Sequence, residues 1–214
     1  MNKKQFNEIK ERLADWRSER GLTYENQREE FLGNVFEKVS EYFRAKDDLE
    51  RVEALCDIAV FCFNAFDIID FDYYCEFCSD NENIEIYNLT DEISEVCCKV
   101  IKKLYVKTSI PRIISYCQYL CKNLGFNFYK CMLEKIKEIE SHYGYDDELN
   151  KFIKDEGYYN ITHLKNEIKL PKTYEIINVI EEKDLFLVRI KTPNTILTNK
   201  LKKWYKADYE SCRL

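Results

Sequence analysis

The chain has 214 residues, a formal charge of −6, 45% hydrophobic and 34% charged residues. That length and composition describe one ordinary folded domain with appendages and exclude a disordered chain. The acidic balance argues against a nucleic-acid backbone as the main partner, and no apolar run is long enough to cross a bilayer. Five Gly and three Pro leave few breaks, which favours long helices over a β-sandwich. Ten Cys are present, yet the start Met1-Asn2-Lys3-Lys4-Gln5-Phe6 has no signal-peptide apolar core. The expectation is a cytoplasmic protein with reduced thiols, no membrane contact and no nucleic acid.

In chain order, Phe6, Ile9, Leu13 and Trp16 recur on one face of a helix over 3–20, which Gly21 stops. The next helix is expected from Gln27 to about Ala45, with Phe31, Val35, Val39, Tyr42 and Phe43 on its apolar side. A short turn, Lys46-Asp47-Asp48, follows, with Asp48 as the expected N-cap of a helix over 49–68.

That third helix is apolar around most of its circumference: Val52, Leu55, Cys56, Ile58, Ala59, Phe61, Cys62, Phe63 and Phe66. Against this, Glu50, Glu53, Asp57 and Asn64 fall in one narrow stripe, roughly 60° wide. Burying ionised carboxylates is costly without a partner. The stripe therefore faces water, meets basic side chains, or faces a hard cation such as Mg²⁺, which takes carboxylate oxygens. Glu41 on the preceding helix supplies a further acid close to the connecting turn.

Residues 67–90 change character, with Asp67, Asp70, Asp72 and Asp80 punctuating aromatics, and read as a surface insertion. Cys75-x-x-Cys78 with Cys97-Cys98 has poor spacing for zinc, because the second pair is adjacent. Helices are expected over about 91–106, from Pro111 to Asn123, and from Phe128 to Ser141. From Lys172 the period changes: Tyr174–Ile180 and Leu185–Ile190 read as a hairpin joined by Glu181-Glu182-Lys183-Asp184. The tail mixes Trp204, Tyr205 and Tyr209 with Lys202, Lys203 and Lys206. It either closes over a ligand or packs on the helices, and packing is the plainer reading.

Acids on two adjacent helices, followed by an apolar helix, carry a family likeness. Glu53-Ala54-Leu55-Cys56-Asp57-Ile58 is similar to the D-A-L-G-D-I of phage-type MazG-like proteins. Ser40–Lys46 and the closing Lys203–Tyr209 also resemble that subgroup. The chain thus resembles the all-α nucleoside triphosphate pyrophosphohydrolases, whose relatives include the dimeric dUTPases and phosphoribosyl-ATP pyrophosphohydrolase. The likeness covers about residues 10–66 well, 110–155 loosely, and the end of the chain. It departs from the family pattern at two points: Lys38 stands where the second acid of E-E-x-x-E is expected, and Ala54 stands where an acid is expected, the acid being one residue earlier at Glu53.

The resemblance implies an all-α, MazG-like helical bundle over 1–155; residues 156–214 are then an extension that carries the β-hairpin read from the period. It implies a Mg²⁺-dependent enzyme, with Mn²⁺ as an alternative ion, cleaving an NTP or dNTP to the monophosphate and pyrophosphate. The implied metal ligands are Glu41, Glu53, Asp57 and Glu50, and the catalytic set is Glu41, Glu53, Asp57 and Lys38. The bound ion would lower the pKa of a water that attacks the α-phosphorus. Asn64 would hold sugar or base, and Trp16 would sit near the base; a structural Asn and a core Trp are the alternatives. Lys38 would neutralise Glu41, hold a phosphate, or leave the site without its metal. The family's composite sites imply a homodimer or homotetramer. The alternative function is a catalytically impaired nucleotide-binding or protein-interaction module on the same scaffold.

Overall fold

The apolar third helix is the one around which the others assemble. In the computed structural model, which describes residues 1–68, 84–102, 104, 106, 108–146 and 151–214, the chain is mostly helical with a small sheet region. It divides into two compact units: Met1–Ile136 with Ala207–Leu214, and Lys137–Lys206. The sequence had suggested a boundary near 155; the division instead falls inside a helix, and the last eight residues belong with the first unit.

In the first unit, α1 (Lys3–Glu19), α2 (Tyr24–Arg44) and α3 (Asp48–Ala65) are followed by α4 (Ile86–Ile101), α5 (Ser109–Asn123) and α6 (Phe128–Ser141), the last five residues of α6 counting with the second unit. α3 contacts α1, α2 and α5. Val52, Leu55, Cys56, Ile58, Ala59 and Cys62 are fully buried along it, as an all-round apolar helix requires. Phe6 of α1 meets Phe63 at 5.2 Å between ring centres, and Phe31 of α2 meets Phe66 edge-on at 5.0 Å.

The helix starts are set by side-chain caps. Asp47, one residue before the expected cap, accepts the Glu50 N–H at 2.9 Å. Thr23 and Asn26 exchange side-chain and backbone bonds of 3.2 and 3.0 Å, so α2 begins three residues before Gln27. α4 begins at Ile86 and ends at Ile101, some five residues ahead of the expected span. At the C-terminal end of α3, Arg28 donates twice to the Ala65 carbonyl at 3.2 Å. Arg17 reaches the Phe63 carbonyl at 3.5 Å, so cations from α1 and α2 meet the negative end of the helix dipole.

The second unit holds β1 (Tyr143–Asp146) paired antiparallel with β2 (Lys151–Lys154), then β3 (Gly157–Tyr158), α7 (Ile161–Glu167), β4 (Glu175–Glu181), β5 (Leu185–Lys191) and β6 (Ile196–Lys203). The four-stranded sheet has the order β3-β6-β5-β4, with β3 parallel to β6 and the other pairs antiparallel. The expected hairpin is β4–β5, and it is the edge half of a larger sheet. Its core is Tyr158, Leu164, Phe186, Val188 and Ile190. Among the described residues no helix is long and apolar enough to cross a membrane.

Candidate functional site

The turn Ala45–Asp47 sets α2 and α3 side by side, so that the polar stripe of α3 faces the last turns of α2. Lys38 Nζ lies 2.9 Å from Glu41 Oε2 and 3.4 Å from Asp57 Oδ2. Lys135, from α6, places its Nζ 2.8 Å from Asp57 Oδ1 and 3.6 Å from Glu53 Oε1. Five charged side chains thus form one ladder: Glu41, Lys38, Asp57, Lys135, Glu53. Glu41, Glu53 and Asp57 converge, and two ammonium groups lie between them.

The ladder is buried in its middle and open at both ends. The Glu41 side chain is 39% exposed, Asp57 11%, Lys135 7% and Glu53 28%. Burial is the largest influence on Asp57 and raises its pKa above the ordinary carboxylate value; Lys135 and then Lys38 oppose the shift without cancelling it. For Lys38, burial is again the largest influence and acts downward. The Asp57 and Glu41 carboxylates outweigh it, and its pKa stands above the ordinary lysine value.

The donor set can be tested for Mg²⁺. A hard divalent ion needs several carboxylate or water oxygens pointing into one space. Here each Asp57 oxygen faces a different ammonium, and Glu41 and Glu53 each face one of the same two. Among the described residues no three His, Cys, Asp or Glu side chains are grouped so as to hold a metal ion. The arrangement does not fit a divalent ion while both lysines are charged. Their combined charge already stands where such an ion's charge would be, leaving one formal negative charge on the ladder.

The remaining expected residues lie elsewhere. Glu50 is at the α2–α3 turn, where it accepts the Lys46 N–H at 2.8 Å. Asn64, 2% exposed, accepts from Arg17 Nη1 at 3.3 Å near the C-terminal end of α3. Trp16 is buried on α1 with the Arg20 guanidinium 4.9 Å over its ring. Cys75 and Cys78 fall outside the described residues; Cys97 is a buried free thiol and Cys98 an exposed one.

Sequence reasoning missed Lys135 and Arg17. For Lys135 a signal existed. It stands three residues after Met132 and four after Cys131, on the inward face of α6, where a lysine needs a buried partner. Arg17 carried no such signal, because it follows Trp16 at the end of a helix where a basic residue is ordinary. Comparison of the chain with family models, with curated proteins and with solved structures finds no match in any of the three.

Proposed function

We propose that this chain is a MazG-like helical scaffold that works as a binding module, its carboxylate site held by lysines in place of a metal ion. The observation that carries the reading is the ladder itself: Lys38 and Lys135 contact all three acids on which metal chemistry would depend. Of the two forms such a module can take, electrostatics favours protein interaction over nucleotide binding. A triphosphate without its metal would meet three carboxylates whose cationic partners are already engaged. The eight described cysteines are free thiols, in keeping with a reducing, cytoplasmic location.

A second reading keeps the activity of the family it resembles. It is favoured by the convergence of Glu41, Glu53 and Asp57 from neighbouring helices. Under it the chain is a nucleoside triphosphate pyrophosphohydrolase, with Mg²⁺ or Mn²⁺ displacing both ammonium groups.

One experiment separates the two. The full chain is assayed for pyrophosphate release from a panel of NTPs and dNTPs with Mg²⁺ or Mn²⁺, and its thermal midpoint is followed with each ion. The module reading expects no turnover and no midpoint shift. Turnover that Asp57→Ala abolishes would establish the enzyme instead, and Lys38→Glu should then raise the rate.

A further inference from the structure

The four-stranded sheet of the second unit ends in an open edge. Its order, β3-β6-β5-β4, leaves β4 (Glu175–Glu181) paired on one side only, with β5. The backbone N–H and C=O groups on its other side have no strand to meet among the described residues. Edges of this kind are commonly guarded by lysine, by proline or by a very short strand. β4 is seven residues long, and between its terminal glutamates it runs Ile176-Ile177-Asn178-Val179-Ile180, with no such guard. Its register shifts between Ile176 and Asn178, and from Asn178 to Glu181 it pairs regularly with β5.

Beside that edge lies a groove. Its cavity of about 620 Å³ has β4 as one wall and α7 with the chain that follows it as the other. Ile161, Ile168 and Leu170 line it from the second wall, and Ile176 and Val179 from the first; all five are half-buried and pack on the sheet core. Tyr174, Ile177 and Ile180 are 37%, 47% and 48% exposed along the edge. A strand edge beside an apolar groove suits an extended peptide. Main-chain hydrogen bonds hold it to the edge, and alternate side chains enter the groove.

Charge narrows the occupant. Lys165 lines the groove, and Lys169 and Lys172 stand in the chain that walls it. All three are exposed, and none has an ion pair with a described residue. Glu175 is the one acid among the lining residues, and it stands cross-strand from Lys191. A second copy of this chain fits poorly, because two antiparallel β4 strands centred on Asn178 would set Glu175 against Glu181 at both ends. We infer that β4 and α7 form a docking groove for an extended acidic segment of another protein, which adds to the sheet as a fifth strand and seats branched apolar side chains between its carboxylates. The inference stands on the second unit alone. Pyrophosphate release would overturn the module reading of the carboxylate ladder and leave this groove untouched.

The test pans the full chain against a displayed library of random twelve-residue peptides. Recovered sequences should alternate branched apolar residues with Asp or Glu and bind, once synthesised, in the micromolar range by fluorescence anisotropy. One such peptide is then N-methylated at its odd or at its even amides. A strand turns only alternate N–H groups to its neighbour, so one form should bind as the parent does and the other at least about tenfold more weakly. Saturating peptide should slow hydrogen exchange in β4. Lys165→Glu/Lys172→Glu, both at exposed side chains, should weaken binding about tenfold, and a peptide with lysines in place of its acids should recover it. A library without binders overturns the inference. So does a peptide indifferent to both methylation patterns, one whose affinity ignores the lysine reversal, or one that protects a segment other than β4. Protection of β4 that rises with protein concentration and needs no peptide would give the edge to a second copy, and overturns it too.

Discussion

Asp57 is a carboxylate that water would have solvated and that the fold has instead placed between two lysines. Removing one member of such a buried set leaves its partners uncompensated. Asp57→Ala should therefore cost about 3 kcal/mol in urea denaturation, because Lys135 keeps its charge without its nearest acid. Replacing both partners with apolar groups of similar shape is a different matter. Asp57→Leu/Lys135→Met should recover much of the loss, the usual result when a buried ion pair is exchanged for packing. The pH response has a defined sign. Asp57 holds its proton more tightly in the folded chain than in the unfolded one, since burial raises its pKa. Its contribution therefore favours the fold below the ordinary carboxylate range and is lost as pH rises through the raised value. Urea midpoints of the wild type and Asp57→Asn, measured from pH 3.5 to 7, should move apart in favour of the wild type as pH falls. The opposite trend would mean that the lysines, not desolvation, govern this group.

At the scale of elements, legibility followed how local each signal is. α6 spans the expected Phe128–Ser141, and α1 stops one residue short of the expected 20, because their apolar repeats and the glycines bounding them are local. The start of α2 was set by a Thr-x-x-Asn exchange in place of the commoner Glu or Gln form, and the pattern passed unread. β6 was not foreseen as a strand, and only its last two residues, Lys202 and Lys203, were counted with the tail. Its residues are exposed on both faces over Ile196–Lys200, so it lacks the alternation that burial of one face would write into the sequence. Lys135 lies far from Asp57 along the chain, and only the bundle brings the two together. One close approach in the sheet unit is equally non-local. A Cβ on Gly157 would lie 2.2 Å from Trp204 Nε1. The indole has little room to yield, because it packs against His142 at 4.5 Å and Tyr159 at 5.4 Å between ring centres. Gly157→Ala should destabilise by about 1–3 kcal/mol, as overpacking does. The Trp204 fluorescence should change with it; an unchanged spectrum and midpoint would show that the ring moves aside without cost.

At the scale of the whole chain, the first unit is made from both ends of the sequence and the second is encoded between them. The closing segment is bound by main-chain contacts: the Asn127 N–H donates to the Cys212 carbonyl at 2.8 Å and the Leu214 N–H to the Gly125 carbonyl at 2.9 Å. Asp208 N–H adds a bond of 3.1 Å to Glu134, and the Arg213 guanidinium sits 4.5 Å over the Phe126 ring. Tyr209 and Cys212 are buried at 4% and 1% exposure. The tail's aromatic residue at 209 thus serves the helical unit, whereas Trp204 and Tyr205 belong to the sheet unit. Burial of one large side chain contributes about 1.5–3 kcal/mol, and each backbone bond about 1 kcal/mol net. A chain ending at residue 206 should lose about 3 kcal/mol or more from the first unit. The loss should be selective: hydrogen exchange in α3 accelerates while β5, whose core of Phe186, Val188 and Ile190 involves none of the deleted residues, keeps its protection. Because these contacts join residues 125–134 to residues 208–214 across the whole of the second unit, the first unit completes its fold only when the closing segment docks, and its folding should be slow for a helical protein. Equal loss of protection in α3 and β5 would instead show that the two units unfold as one cooperative body.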